Sequence, residues 1–156
     1  MATWQYHLYL IPRSALMRVL GSVPNHLDPD TFNNTNWWAE HACPDYEAAL
    51  SSLAKESESW STEIRNWGAE DGNFISVIQE DNQIVELGVR FDVRSLNPDF
   101  VEGVCEFAKQ CDCLFFLEDL KLTEPHPNLL IEEIGRSSAA AFVLDPVGFL
   151  TRRKSQ

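Results

Sequence analysis

The sequence predicts an α+β domain built on an antiparallel sheet, and three observations carry that prediction. The stretch Asn73 to Arg94 reads as two strands joined by a tight turn at Glu80-Asp81-Asn82-Gln83. In its second arm, Ile84 to Arg94, the residues Val85, Leu87, Val89, Phe91 and Val93 fall on one face. Glu86, Gly88, Arg90, Asp92 and Arg94 fall on the other, because successive strand side chains point to opposite sides. A second alternating run, Trp4 to Ile11, gives another half-buried strand, and Cys113 to Leu120 is an apolar, β-prone run closed by Thr123, Pro125 and Pro127. Helical spacing fills much of the chain between these runs.

In chain order, Pro12 ends the first strand, and Ser14 is placed to N-cap a short helix with Ala15, Leu16, Val19 and Leu20 on its apolar side and Gly21 as its stop. Residues 22–72 break the pattern with Pro24, Pro29, Pro44 and the run Asn33-Asn34-Thr35-Asn36, and they read as an insertion. Tyr46, Ala49, Leu50 and Leu53 predict a helix inside it, from Asp45 to Lys55. Trp37, Trp38, Trp60 and Trp67 give the insertion too much aromatic surface for a solvated linker, so it is expected to pack against the domain. After the hairpin, Asn97-Pro98-Asp99 starts a helix with Pro98 in its first turn and Phe100, Val101, Val104, Cys105, Phe107 and Ala108 as its buried stripe. Asn128 to Phe142 predicts a further helix, interrupted by Asp145-Pro146 before a last short turn at Gly148 to Arg153. The order strand, helix, insertion, strand, strand, helix, strand, helix is the split βαβ arrangement of ferredoxin-like α+β domains, with the insertion after the first helix and an added C-terminal helix. It places the first strand and the Ile84–Arg94 strand side by side, with helices over one face.

A chain of 156 residues with 44% hydrophobic content forms a single domain with one core. Its formal charge of -12 opposes binding to phosphate backbones and to anionic membranes, and favours a basic protein partner. Met1 to Tyr9 lacks the pattern of a secretory signal, which predicts a cytoplasmic protein. Cys43, Cys105, Cys111 and Cys113 are then expected as reduced thiols, without disulfide staples.

The candidate binding residues are Glu86, Arg90, Asp92 and Arg94, with His7 and Tyr9 alongside on the face away from the helices, and Trp37 and Trp38 from the insertion. Mixed charges and an imidazole on one rigid sheet face make a docking surface, although cross-strand ion pairs alone account for such a row. His41-x-Cys43 and Cys111-x-Cys113 have poor spacing for zinc, and neither Asp28 with Asp30 nor Glu70-Asp71-Gly72-Asn73 matches a calcium loop. Asp71-Gly72-Asn73 reads as a turn feeding a strand. A nucleophile elbow, a P-loop and a dinucleotide fingerprint are all missing from the sequence. No catalytic residues, metal or cofactor are therefore expected.

Trp67-Gly68-x-x-Asp71-Gly72-Asn73, the strand Val89-Arg90-Phe91-Asp92-Val93-Arg94, and the ending Ser138-Ala139-x-x-Phe142-Val143-x-Asp145-Pro146-x-x-Phe149-Leu150 resemble small, acidic, uncharacterised bacterial proteins of the toxin-immunity or accessory type. The resemblance spans the C-terminal two thirds and implies a non-enzymatic module that works by surface complementarity. The competing expectation is a small-ligand binder or enzyme using the open sheet face with the tryptophan-rich insertion.

Overall fold

The computed structural model describes residues 1–154. The hairpin forms as β4 (Phe74–Glu80) and β5 (Gln83–Asp92), which follow three earlier strands: β1 (Gln5–Pro12), β2 (Glu56–Ser57) and β3 (Ile64–Gly68). With β6 (Cys113–Phe116) and β7 (Leu122–Thr123) they make one antiparallel sheet in the order β2-β3-β4-β5-β1-β6-β7. Asp81 and Asn82, both at positive φ (52° and 63°), close the hairpin, a conformation that short Asx side chains tolerate. β1 and β5 are direct neighbours, pairing Tyr6 with Phe91 and His7 with Arg90.

Seven helices accompany the sheet among the described residues: α1 (Arg13–Leu20), α2 (Pro29–Asn33), α3 (Tyr46–Leu53), α4 (Pro98–Gln110), α5 (Pro127–Gly135), α6 (Ser138–Leu144) and α7 (Pro146–Lys154). The inner face of the sheet buries Tyr6, Leu8, Leu10, Ile75, Val77, Leu87, Val89 and Phe91. α4 closes over it with the six buried residues its spacing predicts, and Phe100 meets Phe91 edge-on with ring centroids 5.5 Å apart. Asn97 caps α4 by accepting from the backbone N–H groups of Asp99 and Phe100. α3 covers β3, where the Trp67 indole donates to Ser51 Oγ and stands edge-on to Tyr46.

Several expectations are corrected. Residues 22–72 are not wholly an insertion, since β3 is an integral sheet strand paired along its length with β4. Its five residues, Ile64-Arg65-Asn66-Trp67-Gly68, are too short and too polar to announce themselves by alternation. α2 is a further element within residues 22–72, and Asp28 caps it by accepting from Thr31 N–H, which uses one of the paired acids structurally. α1 starts at Arg13 without a side-chain cap, while Ser14 Oγ lies 3.4 Å from His41 Nδ1. Val19 and Leu20 are exposed, leaving Ala15 and Leu16 as the buried pair of α1. The predicted helix over 128–142 is two helices, because Ser137 turns its hydroxyl to the Ala140 N–H and caps α6 afresh. A bulge sets Ile78 against Glu86 and Gln79 against Ile84, so Val85 has no opposite residue and Ile84 takes the buried position. β5 ends at Asp92, and Val93–Ser95 form a 3-10 turn instead of extending the strand to Arg94.

The thiols are corrected too. Cys43 and Cys111, with Cα atoms 5.6 Å apart, are joined as a disulfide between the insertion and the end of α4, while Cys105 and Cys113 are free and buried. Beside the bond, His41 Nε2 lies 2.7 Å from the Cys111 carbonyl oxygen. Disulfides persist in oxidising compartments, so a thiol inventory inferred from a cytoplasmic setting does not hold for this pair. No helix among the described residues is long and apolar enough to cross a membrane.

Candidate functional site

The outer sheet face is divided in two. Over β1 and β6 it is covered by the chain around α2, whose Phe32 ring lies 4.8 Å from Tyr9 and 4.7 Å from Phe116. Over β3 and the Phe74–Ser76 part of β4 no helix among the described residues borders it, and a groove of about 360 Å³ runs there between the Ser57–Trp60 loop and Arg90, whereas Ile78, Val85 and Glu86 share a separate pocket with Phe32 and Asn33 of α2. The register explains its shape. Asn66, Ser76 and Gly88 are cross-strand partners and form a low row, beside the taller row of Gly68, Phe74, Arg90 and His7. A Cβ on Gly88 would come 2.9 Å from His7 Nε2 and 3.4 Å from a Tyr9 ring carbon, so both rings lie over that glycine and close the low row at β1. Trp60 borders the opposite side, 88% exposed.

Of the residues the sequence singles out, Glu86, Arg90, His7 and Tyr9 do share this face. The His7 and Tyr9 rings lie 4.5 Å apart. Burial first, then the neighbouring Arg90 and the chain amino terminus, hold His7 down to about 4, so its imidazole is neutral near pH 7. Burial raises Glu86, and it raises Tyr9 with the help of the Glu86 charge. The Arg90 guanidinium sits 5.1 Å from the Phe74 ring centre and makes no ion pair among the described residues. In the groove floor, Asn66 Oδ1 is buried without a hydrogen-bond partner among the described residues.

Asp92 and Arg94 do not extend the row. Asp92 accepts both the backbone N–H and the guanidinium of Arg94, which holds its carboxyl below the ordinary range, and Arg94 stacks 4.3 Å from the Trp4 ring centre. This cluster, with Asn73 Oδ1 accepting from Asp92 N–H, fastens the Asp71-Gly72-Asn73 turn to the strand end. Trp37 and Trp38 are buried in the core; Trp37 donates to the Phe32 carbonyl and Trp38 stands edge-on to His41. The exposed indole is Trp60, which corrects the expectation that all four tryptophans of residues 22–72 pack against the domain. An isolated tryptophan inside Glu56-Ser57-Glu58-Ser59-Trp60-Ser61 was the signal, since a polar run offers it nothing to pack on.

The structure brings His41 and Cys43 to Cys111 as a disulfide with a neighbouring imidazole, a meeting that the expectation of separate reduced thiols did not include, and it leaves Cys113 free. Among the described residues no group of three or more His, Cys, Asp or Glu could hold a metal ion. Another groove, of about 430 Å³, is lined by Tyr6, Glu118, Asp119, Lys121, Glu133 and Arg136. Most of its charges satisfy one another, as Lys121 pairs with Asp119 and Glu133, and Arg136 with Glu133, while Glu118 accepts from the His7 backbone N–H. No family model, curated protein or solved structure matches the chain.

Proposed function

We propose that this chain is a non-enzymatic module that binds a protein partner across the uncovered outer face of β3–β5. The observation that carries this reading is Trp60, 88% exposed at the rim of an uncovered sheet face. A tryptophan side chain buries roughly 150–250 Å² when covered, and tryptophan is enriched among the residues that dominate interfaces. The groove lies on paired strands, which hold contact groups rigidly. The net charge of -12 raises the encounter rate with a basic partner.

The toxin-immunity resemblance gives the reading a specific form, in which the partner is a toxin encoded beside this chain. We read β4-β5-β1-β6 within this α+β sheet as a ferredoxin-like kernel extended by β2, β3 and β7, a reading supported by the antiparallel pairing of these four strands. The Cys43–Cys111 bond favours an oxidising compartment over the cytoplasm as the place of action. A small-ligand function draws support from the groove volume, which lies within the range of ligand pockets. The partner reading is tested by co-expressing the product of the adjoining reading frame with the intact chain and with Trp60→Ala. Complex formation and growth rescue by the intact chain, weakened at least about tenfold in affinity by Trp60→Ala, support it. Full binding by the variant moves the interface off this face.

A further inference from the structure

In a chain with 24 acidic and 12 basic residues, a guanidinium has carboxylates to choose from. Arg13, Arg18, Arg65, Arg94, Arg136 and Arg152 each pair with one. Among the described residues Arg153, exposed on α7, pairs with none, and neither does Arg90, although Glu58 and Glu70 border the same groove. Its planar group is held over Phe74 instead, which fixes its position and leaves its donor fork without a carboxylate.

We propose that the groove receives an extended, carboxylate-bearing peptide segment of the partner, with Arg90 binding the carboxylate and Trp60 closing over the segment. The inference rests on the reading of this face as a partner surface and names the chemistry that the face selects. The groups that want a partner are spread from Asn66 on β3 to Arg90 on β5, two strand spacings or about 10 Å, which three extended residues span. The low floor at Ser76, between Asn66 and Phe74, admits a backbone. Asn66 and Ser76 line the same groove, and a peptide supplies N–H donors and carbonyl acceptors along its length to such polar side chains. Exposed charges beyond about 8–10 Å are largely screened at physiological salt, so the opposition to this contact comes from the nearby Glu58 and Glu70, which the Arg90 fork outweighs by acting at hydrogen-bond range.

The test pans a library of linear octapeptides against the intact, oxidised chain and measures the enriched peptides by fluorescence anisotropy. Enriched peptides are expected to share one Asp or Glu. Arg90→Gln is expected to weaken them about tenfold or more, Arg90→Lys less, and Trp60→Ala about tenfold, with the melting temperatures of all variants checked. Replacing the shared peptide acid by its amide should cost a similar factor and add nothing to Arg90→Gln, because both remove one contact. Peptides without an acidic residue, or indifferent to Arg90→Gln but weakened by Trp60→Ala, overturn the carboxylate and leave the partner face standing. Binders indifferent to both substitutions sink both readings. An unenriched library overturns the peptide proposal and leaves the face to a folded surface, and free benzoate binding as tightly as the peptides identifies a small-acid site instead.

Discussion

Truncating Phe91 to alanine tests the packing on which the outer face depends. Phe91 is completely buried on the inner side of β5, opposite Tyr6 on β1 and edge-on to Phe100 of α4 at 5.5 Å. It therefore joins the two central strands to the covering helix, with little freedom for the surroundings to collapse into the space left behind. Loss of a buried phenyl ring costs about 3–5 kcal/mol, the sum of lost transfer energy and an unfilled cavity. Of this, the edge-on contact with Phe100 accounts for about 0.5–1.5 kcal/mol, which a double-mutant cycle with Phe100→Ala should recover as coupling. In urea, with a slope of about 2 kcal/mol per molar, the unfolding midpoint should fall by about 2 M at unchanged slope. A loss below about 1 kcal/mol would refute the face assignment, because it would mean that Phe91 points outward and that Glu86 and Arg90 are internal.

The Cys43–Cys111 bond closes a loop across a sequence separation of 68, which the chain-entropy account values at about 4 kcal/mol. Cys43→Ser and reduction of the intact chain should each lower the denaturation free energy by about that amount, whereas equal stability with and without reductant would argue against the bond. His7 makes stability depend on pH: with its folded value lowered to about 4, the unfolded chain binds the extra proton between pH 6.5 and 4. Stability contributed by the neutral ring is thus full above pH 6.5 and lost as pH falls through that window, by at most about 3 kcal/mol. His7→Gln should flatten that part of the denaturation profile, and an unaltered profile would show that the ring titrates as an exposed histidine.

Local chemistry made much of this protein readable in one dimension. The alternation from Leu87 to Phe91 in β5, the Asp-Asn turn, the Pro-led start of α4 and its six-residue buried stripe are short-range patterns, and the structure reproduces them. So is the placement of His7, Tyr9, Glu86 and Arg90 on one face, which follows from strand period and the β1–β5 pairing. What the sequence could not show depends on which distant groups meet. Whether Asp92 serves a surface or a turn is decided by Arg94 and Asn73; whether two cysteines bond is decided by the docking of residue 43 on the end of α4. β3 exists as a strand because β4 supplies its hydrogen bonds, not because its five residues prefer that state. The same tertiary event splits the outer face, as Phe32 covers β1 and β6 while Trp60 stays exposed, and exposure of this kind is a property of what packs elsewhere in the chain.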